Sequence, residues 1–388
     1  MTIPAARPTI VQINLSPTLG GAEVYTAFMS RALAARGWPT RVLVDAQAKI
    51  WRDLDFGEVE RVPVTTDTAP AEIRPGDIAL IHGSIPEPLL DALRARAPIV
   101  GIAHQAIYAK SRPAYYDRAD FMLGVSQYVI RTLVDNGVTR VHGEPLYGVG
   151  EILRRHHDAT LRRGPLYEWD ERKVRDLMLA LGERVRGAFG GGKAYVRRPG
   201  LALGIVSRIA ALKQFPALFD IIAPIIARQR DMHVEVFGVA VGYKALRDLR
   251  RAMRPLDGRV RFWGHQRDVA TVYRNIDYLL TGLPEREALG LNVIESCLCG
   301  TPVLAVDAPP FTETMKEGVT GFLYTDPRTD GGRHFETILR EIADGTRKPA
   351  LARAAAQLEL FSFERFADRV DAAMRAAVVK VAAPGVST

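Results

Sequence analysis

Cysteine is scarce in this chain: two residues among 388, Cys297 and Cys299, separated by one residue. Such a pair builds no disulfide framework, and no CxxC or Cys/His spacing points to zinc. Long apolar runs are missing as well. The longest, Phe219 to Ala227, contains Asp220 and Pro224 and falls far short of the ~20 residues that cross a bilayer. The N-terminus, MTIPAARPTIVQINL, lacks the unbroken apolar centre of a secretory signal, and its alternating residues read as a strand. A soluble or peripherally attached protein in reducing cytoplasm is therefore expected. Acidic excess is absent too: 52 Lys and Arg stand against 44 Asp and Glu, a net charge of +8. That balance points to anionic partners such as nucleotides or phospholipid surfaces. The cations are not interleaved with stacking aromatics, and no nucleic-acid module is visible, so nucleic acid is not the expected partner.

What is present is ordinary globular material. With 47% apolar and 25% charged residues, wholesale disorder, collagen-like repeats and coiled coil are excluded. The length favours two domains over one. Short apolar runs alternate with helical stretches: 8–15, 41–44, 78–82, 99–103 and 121–125 read as strands, then 201–207, 232–238, 260–263, 278–281 and 302–306. Between the two series, residues 154–200 hold twelve Lys/Arg against six Asp/Glu. Within them Val174, Leu177, Met178, Leu181, Val185 and Phe189 form an apolar helical stripe. Buried strands alternating with helices predict parallel sheets covered on both faces. The expected domains are 1–195, including the basic amphipathic segment 154–195, then 196–365, and a C-terminal helix within 366–388 that crosses back to the first domain.

Three motifs carry chemistry. In LSPTLGGAE a strand ends, Gly20 and Gly21 follow, and a helix starts near Glu23. Glycines there let backbone N–H groups approach an anion at a helix N-terminus. The turn has neither GxGxxG spacing nor a P-loop lysine. In GIVSRIAALKQF, Arg208 and Lys213 stand just past the strand that opens the second series, where two cations suit a diphosphate. In EREALGLNVIESCLCGTPVLAVD, Glu287 falls in a loop at the sheet's C-terminal edge and Glu295 on the following helix. Two carboxylates at this edge suit hydroxyl recognition, and N–H groups near Gly290, Leu291 and Asn292 suit phosphate or sugar oxygens. The only D-x-D string near a possible cation role, Asp53-Leu54-Asp55, reads as solvated loop carboxylates, so no metal is expected.

These motifs, in this order, resemble the retaining glycosyltransferases of family 4. The carrying residues are the GGAE turn, the Arg208-to-Lys213 pair, and the two glutamates eight apart followed by CGTPVLA. FLYTDP after EGVTG, and FSFERFADRVDAAM, add to the likeness. It implies an α/β GT-B fold, two Rossmann-like doubly wound domains facing a central cleft, and sugar transfer from a nucleotide diphosphate sugar to an acceptor hydroxyl with retained configuration. The nucleotide sugar would be a substrate, with no cofactor. By the same resemblance Arg208 and Lys213 would bind the donor diphosphate, Glu287 the sugar hydroxyls and Glu295 the ribose, with Gly20 and Gly21 facing the phosphates. His104, in IVGIAHQAIY, matches a histidine slot beside the donor sugar. His82, in ALIHGS, matches a second position that often carries His, where a structural role weighs equally. Ala288-Leu289-Gly290 stands where Gly-Phe-Gly is frequent, so the sugar pocket is expected to differ in shape.

The expected acceptor is a glycan or lipid-linked hydroxyl in bacterial surface-glycan synthesis such as lipopolysaccharide. The basic segment 154–195 suggests peripheral contact with anionic lipid at the inner face of the cytoplasmic membrane. Two alternatives stay open on the sequence: a sugar-nucleotide 2-epimerase on a related fold, and a non-catalytic sugar-nucleotide-binding protein.

Overall fold

The structure is a computed structural model and describes residues 7–107, 113–149, 160–168, 174, 176, 178 and 193–382. The chain forms two compact units, Met1–Gly150 with Glu359–Thr388, and Glu151–Leu358. Among the described residues no helix is long and apolar enough to cross a membrane.

The first unit is built on a six-stranded parallel sheet in the order β3-β2-β1-β4-β5-β6. Its strands are β1 (Ile10–Asn14), β2 (Thr40–Asp45), β3 (Glu60–Val64), β4 (Ile78–Ile81), β5 (Ile99–Ala103) and β6 (Phe121–Gly124). Its longer helices on the way are α1 (Gly21–Ala35), α2 (Glu87–Arg94) and α3 (Gln127–Asp135). The central strand β1 is buried throughout, although it contains Gln12 and Asn14. A buried amide needs partners, and α1 supplies them. Gln12 Nε2 donates to Ser30 Oγ at 2.7 Å, and Asn14 Nδ2 to Thr26 Oγ1 at 2.9 Å. Alternate strand positions thus meet helix positions one turn apart.

The second unit repeats the plan with β7 (Leu201–Val206), β8 (Met232–Phe237), β9 (Val260–Gly264), β10 (Tyr278–Leu280), β11 (Val303–Val306) and β12 (Gly321–Tyr324). The order is β12-β11-β10-β7-β8-β9, again all parallel. Its longer helices are α4 (Phe215–Arg228), α5 (Gly242–Ala252), α6 (Val269–Arg274), α7 (Leu291–Leu298) and α8 (Arg333–Ala343). One apolar cluster, with Phe219, Ile222, Val234, Leu280 and Phe335, lies on one face of the sheet. A second, with Phe237, Trp263, Tyr273, Leu279 and Val293, lies on the other. In each unit the chain reverses direction across the sheet at one place, between β1 and β4 and between β7 and β10. Ligands of open α/β sheets bind at the carboxyl ends of strands at such switch points.

Two further segments complete the units. Helix α9 (Phe363–Ala382) packs along α1 in the first unit, burying Phe366, Val370 and Met374. Phe366 meets the Tyr25 ring edge-on at 5.3 Å, and Trp38 Nε1 donates to Asp371 Oδ1 at 2.9 Å. Residues 160–168, assigned from the sequence to the first domain, lie against the second unit. Gly164 N donates to Trp263 O at 2.8 Å, Ala240 N to Leu166 O at 2.9 Å, and Glu168 N to Ala240 O at 2.8 Å. Leu161, Leu166 and Tyr167 are buried in that unit's two clusters, so apolar burial and backbone pairing both hold the segment there. Of the amphipathic stripe, Val174 and Met178 are described and exposed. Leu177, Leu181, Val185 and Phe189 lie outside the described residues, as does 383–388 of the C-terminal segment.

Candidate functional site

The switch point of the second unit brings together residues more than seventy positions apart. β7 ends at Val206, and the chain runs through Ser207 and Arg208 to a 3-10 turn at Ala211–Lys213. Gln214 follows with φ 51°, the one non-glycine residue with positive φ among the described residues. That left-handed backbone turns the chain sharply into α4, at a cost of order 1 kcal/mol. Its side chain holds the turn, because Gln214 Nε2 donates to Glu285 Oε2 at 2.9 Å. From the other side, β10 ends and Gly282 packs directly on the Lys213 backbone. A Cβ at Gly282 would collide with the Lys213 carbonyl oxygen, and Leu283 N donates to that oxygen at 3.3 Å.

This backbone contact aligns the two loops so that Lys213 Nζ forms an ion pair and hydrogen bond with Glu287 Oε2. Both side chains are mostly covered, with Glu287 14% and Lys213 28% exposed. Arg208 does not join that pair. Its guanidinium binds Glu168 instead, with Nη2 at 2.8 Å and Nε at 3.1 Å from Oε1. Each predicted cation therefore has a carboxylate of its own unit as counterion.

Helix α7 opens on Gly290, whose φ of 78° only glycine adopts readily. Leu291 and Asn292 form the first turn, where backbone N–H groups have no intrahelical acceptor. Asn292 Nδ2 donates to Val206 O at 3.2 Å and so ties this helix start to the end of β7. One turn on, Glu295 Oε2 accepts from the Tyr273 hydroxyl at 2.9 Å. Burial pushes the Glu295 carboxyl from 4.5 up to about 7, opposed by the Tyr273 hydrogen bond. The predicted set of the second unit thus gathers around the ends of β7 and β10 and the start of α7.

The switch point of the first unit holds a cavity of about 550 Å³. Asn14, Ser16, Glu23, His82, Ser84, His104, Gln105 and Tyr115 are among its walls. Gly20 caps α1 with extended backbone, and a methyl group there would come within 3.1 Å of Glu23 Oε2. The helix start formed by Gly20 and Gly21 therefore carries a largely buried carboxylate in its first turn. His82 and His104 lie side by side: His82 Nδ1 is 3.2 Å from His104 Nε2, and His82 Nε2 is 2.9 Å from Gln12 Oε1. Burial holds both imidazoles below the usual histidine range, His104 at about 3 and His82 further lowered by its neighbour. Burial thus favours the uncharged form of both rings. Among the described residues no cluster of three or more His, Cys, Asp or Glu forms a metal site.

Sequence reasoning did not single out Glu168, Gln214, Tyr273, Gln12 or Glu23 as site residues. Gln12 carried a readable signal, a polar side chain inside an otherwise apolar central strand. Glu168 carried none, because its place depends on how 160–168 docks on β8 and β9.

Two doubly wound parallel sheets of this order, one in each unit, are the architecture of GT-B glycosyltransferases. Residues 200–341, which include the gathered second-unit set, match the family described as "Glycosyl transferases group 1". The D-inositol 3-phosphate glycosyltransferases of Mycobacterium bovis (strain BCG / Pasteur 1173P2) and Mycobacterium tuberculosis (strain ATCC 25177 / H37Ra) are each 31% identical over 113 residues. That stretch is 29% of this chain and 23% of theirs, so the chain matches about a quarter of the length of these curated relatives. Among solved structures, the Anabaena protein HepE in complex with UDP and glucose superposes with a TM-score of 0.67 at 18% identity, covering 95% of this chain and 100% of HepE. The pneumococcal O-GlcNAc transferase GtfA in complex with UDP and GlcNAc gives 0.66 at 10% identity, covering 96% and 99%. At these identities the likeness is one of fold.

Proposed function

We propose that the chain is a retaining glycosyltransferase that moves a sugar from a nucleotide diphosphate sugar, with UDP as the first nucleotide to try, to an acceptor hydroxyl. The observation that carries this reading is the Lys213–Glu287 pair at the second unit's switch point, within the stretch that matches group 1 glycosyltransferases. A cation and a carboxylate in contact suit a ligand that is a diphosphate at one end and a polyol at the other. The UDP complexes of HepE and GtfA support the choice of nucleotide.

In this reading Arg208 and Lys213 hold the diphosphate, aided by the N–H groups of Gly290, Leu291 and Asn292. Glu287 accepts from sugar hydroxyls and Glu295 from the ribose. Gly20 and Gly21 approach the phosphates, and His104 stands beside the sugar. The bond from C1 of the sugar to the β-phosphate oxygen breaks. The acceptor oxygen bonds to C1 on the same face, and its proton passes to the departing phosphate. The protein's contribution is fixed positive charge where negative charge develops, with no metal required. Glycan or lipid-linked acceptors at the inner face of the cytoplasmic membrane are the proposed setting, supported by the net charge of +8.

The test is turnover of UDP-, GDP-, ADP- and TDP-sugars with the anomer of the product read by NMR. Free nucleoside diphosphate with a retained-anomer glycoside is expected. An altered sugar nucleotide with no glycoside would mean an epimerase, and binding without turnover a non-catalytic protein. Glu287→Ala should lower kcat about 100-fold with modest loss of nucleotide affinity. Lys213→Ala should damage both, and wild-type rates in both variants would remove the assigned site.

A further inference from the structure

We infer that Gln12 and His82 are positioning residues that fix the ring proton of His104 on Nε2, leaving Nδ1 to accept a hydrogen bond from a hydroxyl group bound in the first unit's cavity. The hydroxyl rests on the glycosyltransferase reading, whereas the proton assignment stands without it.

Donors and acceptors form one chain that starts at the Thr26 carbonyl, which can only accept. Ser30 Oγ donates to it at 2.9 Å, so the one proton of that hydroxyl is used. Ser30 Oγ then accepts from the Gln12 amide nitrogen at 2.7 Å. The Gln12 amide orientation is thereby set, and its carbonyl oxygen faces His82 Nε2 at 2.9 Å. A carbonyl oxygen cannot donate, so His82 Nε2 carries the proton and donates to it. A neutral imidazole has one proton, so His82 Nδ1 is bare and accepts from His104 Nε2 at 3.2 Å. The two ring planes are inclined by 23° and their centroids are 5.4 Å apart. His104 then keeps its own lone pair at Nδ1, for which no partner exists among the described residues.

The surroundings keep this relay neutral. Gln12 is fully buried and His82 is 2% exposed. The edge-on ring of Tyr25 from α1 stands 5.0 Å from His104, with its hydroxyl turned to the Leu146 carbonyl at 2.6 Å. Glu23, Tyr115 and Tyr116 are the other titratable groups on the cavity wall. None of them makes a hydrogen bond with either imidazole among the described residues. Burial favours uncharged rings, which supports the same assignment. A neutral acceptor with its proton held at the far nitrogen suits a hydroxyl and gives an anionic group nothing to bind. His104 would therefore contribute to sugar selection rather than to phosphate neutralisation.

The test is a long-range 1H–15N spectrum of the full chain with 15N-labelled histidine rings, assigned with His82→Gln and His104→Gln. Both rings should be neutral and Nε2-protonated from about pH 5.5 to about 8. A His104 ring protonated on Nδ1, or titrating in that range, would overturn the assignment. Gln12→Leu should leave His104 as a mixture of tautomers and lower kcat about tenfold or more at unchanged donor KM. An unchanged His104 tautomer in Gln12→Leu would also overturn the inference, and should that variant fail to fold, the wild-type spectrum still decides. The predicted spectrum in a protein that turns over no sugar nucleotide would sink the glycosyltransferase reading and leave the proton assignment in place.

Discussion

Replacing Glu295 with Gln should stabilise the second unit at neutral pH and leave it unchanged near pH 4. The half-buried carboxyl is pushed from 4.5 to about 7, chiefly by burial. Its folded value therefore exceeds its unfolded one. The proton is held more firmly in the folded state, so the stabilising contribution is fully present below about pH 4.5 and is lost as pH rises through 7. The whole shift corresponds to about 3 kcal/mol, and partial solvent access trims this to about 1–3 kcal/mol at pH 8. Gln keeps an oxygen for the Tyr273 hydroxyl, which donates to Glu295 at 2.9 Å, and carries no charge to bury. Thermal unfolding at several pH values from 4.5 to 8 gives the measurement, with Tm of the variant climbing above wild type by several degrees. Tyr273→Phe removes the hydrogen bond that lowers the carboxyl's affinity for protons and should destabilise the chain most at high pH. A Glu295→Gln variant no more stable than wild type at pH 8, or a gap that stays constant across the range, would refute the reasoning.

Other outcomes follow from the same geometry. Gly282→Ala drives a methyl group into the Lys213 carbonyl and should cost about 1–3 kcal/mol while separating Lys213 from Glu287; denaturant midpoints and kcat/KM would both fall. Glu168→Gln releases Arg208 from its exposed counterion, and UDP affinity by calorimetry should rise at most about fivefold, the scale of a surface ion pair. Phe366→Ala empties a fully buried site between α9 and α1 and should destabilise the first unit by about 3–5 kcal/mol in urea unfolding. Turnover in excess chelator should equal turnover without it, and abolished activity would contradict metal-independent charge stabilisation.

The strand–helix alternation was readable because buried parallel strands are short apolar runs. The strands that escaped are β3 and β12, and both lie at sheet edges. β3 has the sequence ERVPV, opening on two exposed charges, with a proline that only an edge tolerates. β12 is four residues long and announced itself as a motif rather than a strand. Within the site, residue types and spacing brought out Lys213 and Glu287, which the β7–β10 switch point then joins. Periodicity could not show that Arg208 pairs with Glu168, since that contact depends on the docking of 160–168. His82 was balanced between structure and function on sequence. Its partner Gln12 lies seventy positions earlier, on a strand two places from that of His104, and only the sheet order brings the three together.

Fixed cations at the second unit's switch point are proposed to hold a nucleoside diphosphate. Calorimetric titration of UDP into wild type and Lys213→Ala, with GDP, ADP and TDP in parallel, tests it most directly. Wild type should bind a nucleoside diphosphate saturably, and the variant should bind it tenfold or more weakly, a loss of about 1.4 kcal/mol. Wild type that binds none of the four, or a variant that binds as tightly as wild type, would contradict it.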